Sequence, residues 1–194
     1  MDLIEMAVFL GNYGKQYEKN RHNAAWLFAD SLAAVSSASW SAKFKGEAAS
    51  ITAFGRKIQL LKPHTFMNLS GESIVQAASF YKIKPEEILV VHDELELPFG
   101  TVSLKWSGGL GGHNGLRSVK SVFGTQDFWR LRFGLTKPAG KDIADYVLSP
   151  FSEDEQISLS QIFPIVAALF CKAIFSKDMT VFLPEWSKKK LLSE

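Results

Sequence analysis

The sequence predicts an α/β fold in a single domain, a twisted mixed β-sheet flanked by helices on both faces. Three observations lead there. Short apolar runs alternate with helix-length periodic segments, and no repeat, low-complexity tract or Pro/Gly/Ser linker interrupts them. The 194 residues suit one well-buried unit better than two. A hydrophobic content of 46%, with 15 Phe and 5 Trp, supplies its core. The domain is expected over 1–194, with the tail from about 180 left without a role.

Taken in order, residues 6–10 read as a strand buried on both faces, closed by the turn Gly11-Asn12-Tyr13-Gly14. A helix is expected to begin near Arg21 and run through AAWLFADSLAAV. Residues 43–53 and 57–61 form a hairpin pivoting at Phe54-Gly55, its second arm ending at Lys62-Pro63. Ser70 is set to cap a helix through Tyr81, and Pro85 leads into a strand over 88–92. Strands over 101–106 and 129–135 enclose a helix from about Gly115 to Phe123, which the glycine cluster SGGLGGHNGLRS opens. Ser152 and Glu155 have capping-box spacing and start a final helix that Pro164 should kink.

Composition narrows the function by exclusion. The formal charge of +2 neither demands nor forbids a polyanionic partner, so charge distribution must decide. A single cysteine, Cys171, rules out an internal disulfide and a cysteine-built zinc site, and fits a reducing compartment. The start MDLIEMAVFLG lacks a basic segment and reads as a strand rather than a signal peptide. The run IFPIVAALFCKAIF is broken by Pro164 and Lys172, short of the ~18 apolar residues of a membrane span. A cytoplasmic protein is expected.

Chemistry is expected beyond the carboxyl ends of the strands. Asn12, Asp93 and the loop holding Asn114 fall there, Asn68 follows the hairpin arm, and His22 sits near the first helix start. Taken singly, each has a structural reading: His22 as a packing or capping residue, Asp93 as a turn cap, Asn12 and Asn68 as turn residues. His92, His113 and His64 read as structural or rim-lining. The glycine cluster is no dinucleotide fingerprint, because Asn114 replaces the third glycine and the segment follows a late strand. P-loop, HExxH and GxSxG patterns are absent. Together, one histidine, one orienting acid, several amides and no framed nucleophile suit hydrolysis by activated water.

The motifs LGNYGKQYEKNRHN, KPHTFMNLSG, VVHDELELPFG, GGLGGHNGLRS, FWRLRFGL and DYVLSPF stand in an order and spacing that resembles the bacterial peptidyl-tRNA hydrolase family, over residues 10–151. The resemblance implies an esterase that frees tRNA from a stalled peptide, a monomeric α/β fold, and no metal or cofactor. It makes His22 the general base and Asp93 the residue that holds it in its basic form. Asn12 would engage the peptide portion, Asn68 and Asn114 would bind the acceptor end and polarise the ester, and Tyr17, Phe66 and Met67 would line the groove. Lys105, Arg132 and Lys141 stand where the family clamps the tRNA end, with Arg117 and Lys120 on the adjacent helix. Phe9, Tyr13, Asn20, Ala25 and Ser107 depart from the family pattern. Two other readings stay open at this level: a non-catalytic RNA-binding relative, and a different small-molecule enzyme on the same architecture.

Overall fold

Strand β1 (Met6–Phe9) is buried at every position because helices cover both of its faces. It belongs to a computed structural model that describes residues 3–140 and 142–192. After β1 the chain forms a short 3-10 turn at Arg21–Asn23, then α1 (Ala24–Ser31) and α2 (Ala33–Ser36). The single helix expected here is broken at Leu32, whose ψ of 110 is extended. Next come β2 (Ser41–Lys43), β3 (Gly46–Ala53), β4 (Arg56–Pro63) and α3 (Ser70–Tyr81). The remainder is β5 (Ile88–Glu94), β6 (Thr101–Trp106), α4 (Asn114–Phe123), β7 (Trp129–Gly134), α5 (Ile143–Val147), α6 (Glu153–Phe175), α7 (Leu183–Trp186) and β8 (Lys189–Lys190).

The described strands form one sheet in the order β2-β3-β4-β1-β5-β7-β6-β8. Its centre, β4-β1-β5-β7, is parallel, and both flanks are antiparallel, so the expected mixed sheet is present. The period of two along β1 sorts the core. Ala7 and Phe9 face the cluster under α1 and α6, while Met6 and Val8 face the one under α3 and α4. Phe28 of α1 is fully buried, with Phe133, Phe163 and Phe170 at ring distances of 5.0, 5.5 and 5.8 Å. Burying such a ring stabilises the fold by about 1.5–3 kcal/mol.

Several local expectations are corrected. The strand expected from residue 43 is interrupted by a turn in which Phe44 and Lys45 take φ of 55 and 52. That geometry joins hairpins but is rare for such side chains, which hid it. Ser70 is the first residue of α3 and does not cap it; its hydroxyl donates to the Met67 carbonyl at 2.8 Å. The capping box at Ser152 and Glu155 is present, and α6 continues through Pro164. Helix α6 is in fact long and apolar enough to cross a membrane by composition, but one side of it, including Val166, Phe170 and Ile174, is buried in the core. The tail left without a role packs onto the sheet: β8 pairs with β6, and the Leu191 amide donates to the Gly100 carbonyl at 2.8 Å.

One contact governs the end of the sheet that holds the polar residues. A Cβ on Gly71 would lie 2.4 Å from the Ser118 carbonyl oxygen, so α3 and α4 touch backbone to backbone. The Gly71 amide also donates to Ser118 Oγ at 2.8 Å. Asn68 stands one short turn before α3, and Asn114 is the first residue of α4.

Candidate active site

Asn12 leaves β1 in a fixed orientation. Its amide N–H donates to Asn23 Oδ1 at 2.9 Å, and Asn23 Nδ2 donates back to the Asn12 carbonyl at 3.0 Å. The Asn12 side-chain oxygen accepts the Met67 amide at 2.8 Å, so its NH₂ group is the part left for a ligand.

His22 lies on the 3-10 turn, which is pinned from the far end of the chain. Arg21 donates to Ser149 Oγ at 2.6 Å and to the Pro150 carbonyl at 2.7 Å, and pairs with Glu155 at 2.6 Å. Its guanidinium also lies 4.5 Å from the Tyr146 ring centroid. So held, His22 Nδ1 reaches both Asp93 oxygens, at 2.9 and 3.0 Å. A carboxylate only accepts, so Nδ1 carries the proton and Nε2 keeps a lone pair.

His113, read from sequence as structural or rim-lining, also touches this carboxylate: its Nε2 lies 3.0 Å from Asp93 Oδ1. Its Nδ1 caps α4, accepting from the amides of Gly115 and Leu116 at 3.1 and 3.3 Å. With Nδ1 an acceptor, Nε2 must be the N–H, so the tautomer is set by the helix. A histidine is not among the usual capping residues, and nothing in the local pattern announced it.

The charges follow. Burial works against protonating His22, yet the charge and hydrogen bond of Asp93 outweigh it and raise its pKa above the usual histidine value. Burial alone would raise the Asp93 pKa, but the two facing rings hold it well below the usual carboxylate range. Behind them, burial and then His113 keep His92 well below the usual histidine range, and its Nδ1 donates to the Asp93 carbonyl at 2.6 Å. His22, Asp93 and His113 offer three potential metal-ligand atoms within 4.8 Å of one another. The donor set does not fit an ion: the His113 nitrogen that faces the group is an N–H, and both rings spend their contact on the carboxylate.

These groups open into a cleft of about 600 Å³ lined by Asn12, Tyr17, His22, Phe66, Met67, Asn68, Asp93 and Asn114. Residues from distant motifs therefore meet in one place. Its opposite wall, Ile143, Ala144, Val147 and Leu148 around α5, was not anticipated. Asn68 and Asn114 are exposed, ready to offer amides to a ligand.

The glycine cluster has a structural reason. Gly111 and Gly112 take φ of 59 and 76, and a Cβ on Gly111 would come within 3.0 Å of a Glu94 oxygen. Arg130, absent from the sequence-level candidates, grips the loop from below by donating to the carbonyls of Gly108 and Gly109. Ser107, one of the departures from the family pattern, has φ 49 and donates to Asp127 Oδ1 at 2.7 Å.

The expected cationic clamp divides. Lys105 and Arg132 lie on β6 and β7, outside the cleft lining. Lys105 is half-buried, whereas Arg132 is turned inward, donating to Ser103 Oγ at 2.7 Å and facing Glu94 at 3.4 Å. Lys141 lies outside the described residues. Burial, then the charge of Arg132, push the Arg130 pKa down to about 10, and burial with both arginines lowers that of Lys105. Positive charge is crowded at this end of the sheet.

Comparison with known proteins follows the same line. The family model described as peptidyl-tRNA hydrolase matches residues 6–192. The chain is similar to a peptidyl-tRNA hydrolase of Treponema pallidum (strain Nichols), 46% identical over 98% of each chain. It is 49% identical to one of Desulfitobacterium hafniense (strain Y51), over 82% of this chain and 86% of that one. Among solved structures, a mutant peptidyl-tRNA hydrolase of Acinetobacter baumannii superposes with a TM-score of 0.90 at 32% identity, covering 99% of this chain and 98% of the other.

Proposed function

Because the chain belongs to the peptidyl-tRNA hydrolase family and is a hydrolase, we propose that it cleaves the ester joining a peptide to the ribose of tRNA, using water activated by His22. The observation that supports this reading is the fit of His22 Nδ1 between both Asp93 oxygens at 2.9 and 3.0 Å, with Nε2 left as the base.

Water in the cleft gives its proton to His22 Nε2 as its oxygen attacks the ester carbonyl carbon. The carbonyl oxygen becomes an oxyanion, stabilised by amide groups of Asn68 and Asn114. Collapse of the tetrahedral species breaks the bond to the ribose oxygen, which takes the proton from His22 and leaves as a hydroxyl. General-base help contributes about 10²–10⁴ in rate, and each oxyanion donor about 10²–10³. The Asn12 NH₂ group recognises a peptide carbonyl, while Tyr17, Phe66 and Met67 form the groove.

Lys105, Lys141, Arg117 and Lys120 contact acceptor-end phosphates in this reading, positioning tRNA without reading its sequence. Arg132, being inward, adds to the field rather than making a direct contact. The protein acts as a cytoplasmic monomer.

The test is release of free tRNA from N-acetyl-aminoacyl-tRNA by the purified protein and by His22→Ala. The expected result is a loss of at least about 10² in the variant. Equal rates would overturn the role of His22, and tight tRNA binding without cleavage by the unaltered chain would overturn the reaction.

A further inference from the structure

On the β1–β4 side of the cleft an aromatic surface remains that the hydrolysis does not use. Tyr13, immediately after Asn12, is 55% exposed and stacks on His64 with ring centroids 4.4 Å apart at 22°. His64 is backed by Trp26 at 5.7 Å and by Glu47, whose carboxylate lies 3.4 Å from Nε2. Trp26 is in turn held by its indole N–H on the Phe9 carbonyl at 2.9 Å. The Tyr13 amide donates to the Thr65 carbonyl at 3.2 Å, tying this shelf to the loop of Phe66, which is 59% exposed on the cleft rim. Tyr13 is one of the residues at which this chain departs from the family pattern, so the shelf follows from this chain's own residues.

We propose that Tyr13, stacked on His64, is a subsite for a flat side chain of the peptide, aromatic or arginine, one or more residues before the ester. The inference rests on the hydrolysis proposed above. Two observations favour peptide over RNA here. Successive Cα atoms are about 3.8 Å apart, so the shelf continues directly from Asn12, the residue assigned to the peptide. The charge also points that way. Lys45 is paired with Glu72 at 2.6 Å and Lys62 with Asp30, so two of the cations on this side are neutralised. The crowded cations Lys105, Arg130 and Arg132 lie across the sheet on β6 and β7. Phosphates are drawn to that end, and the peptide leaves over Tyr13.

The test compares hydrolysis of N-acetyl-Phe-Ala-tRNA with N-acetyl-Ala-Ala-tRNA, both on the same tRNA, by the unaltered chain, Tyr13→Phe and Tyr13→Ala. A stacked ring predicts a preference for the Phe substrate of about three- to tenfold in kcat/KM. Tyr13→Phe should keep the preference, and Tyr13→Ala should abolish it, the ratio being read independently of any general loss. An unchanged ratio in Tyr13→Ala overturns the subsite while leaving the hydrolysis intact. A loss equal for both substrates, with a shallower salt dependence, would instead make the shelf an RNA contact. Failure of the unaltered chain to cleave either substrate removes the reading on which the subsite rests.

Discussion

Replacing Asp93 with asparagine tests the site most sharply, because the carboxylate serves two obligatory donors. His113 must donate from Nε2, since its Nδ1 is occupied by the amides that open α4. The asparagine oxygen must therefore face His113, and its NH₂ is then turned toward His22 Nδ1. Nδ1 becomes the acceptor, and the ring proton moves to Nε2, where the lone pair is needed. Complete loss of the base would cost about 10²–10⁴. Because Oδ1 already lies 2.9 Å from His22 and 3.0 Å from His113, a fraction of molecules keep both bonds on one oxygen. The expected fall in plateau kcat for Asp93→Asn is thus about 10²–10³.

The pH profile gives a second readout of the same substitution. With His22 as the proposed base, activity of the unaltered chain is expected to fall as pH drops through its raised pKa, because the base becomes protonated. Asparagine removes the charge and hydrogen bond that raise that pKa and leaves burial, which lowers it. The acidic limb should move to lower pH, below the usual histidine value of about 6.5. Release of free tRNA from N-acetyl-aminoacyl-tRNA, followed between pH 5 and 9, measures both effects. A plateau within twofold of the unaltered chain, or an acidic limb that stays in place, would refute the assigned pairing.

Three further outcomes are expected. His113→Ala removes the cap of α4 and should lower stability by about 0.5–2 kcal/mol in urea unfolding, with a drop in kcat smaller than that of Asp93→Asn. Gly71→Ala drives a Cβ to 2.4 Å from the Ser118 carbonyl; it should cost about 1–3 kcal/mol and raise KM as Asn68 and Asn114 separate, whereas equal melting temperatures would contradict the contact. With tRNA held by phosphate contacts, log affinity should fall against log salt by about 0.7–0.9 per contact, and Lys105→Ala should reduce the slope by about one contact's worth. A slope unchanged by that variant would remove Lys105 from the interface.

Much of this was legible in the residues, for identifiable reasons. Continuous apolar runs marked β1 and β5, and their turn residues marked the sheet end where Asn12 and Asp93 stand. The shared cleft of eight named candidates followed because each lay in a motif of ordered spacing. What stayed hidden depended on contacts between distant segments. The role of His113 arises from a tautomer imposed by its own helix, and no local pattern encodes that. Arg132 was an expected phosphate ligand, but in the fold Glu94 and Ser103 draw it inward. Arg130 reads in sequence as another strand cation, yet it organises the loop that carries Asn114. The break at Leu32 was masked because extended backbone is ordinary for leucine and leaves no signal, and the turn at Phe44 because an ordinary side chain holds a positive φ there.

The anchoring of Arg21 by Ser149, Pro150 and Glu155 bears on how the protein is born. Those partners are made more than a hundred residues later, so while the nascent chain is still emerging the turn bearing His22 lacks its Arg21 anchor and has only local bonds such as those between Asn12 and Asn23. Catalytic competence should accordingly arrive late and abruptly, once the start of α6 clears the ribosome's exit tunnel, and not grow in step with the sheet.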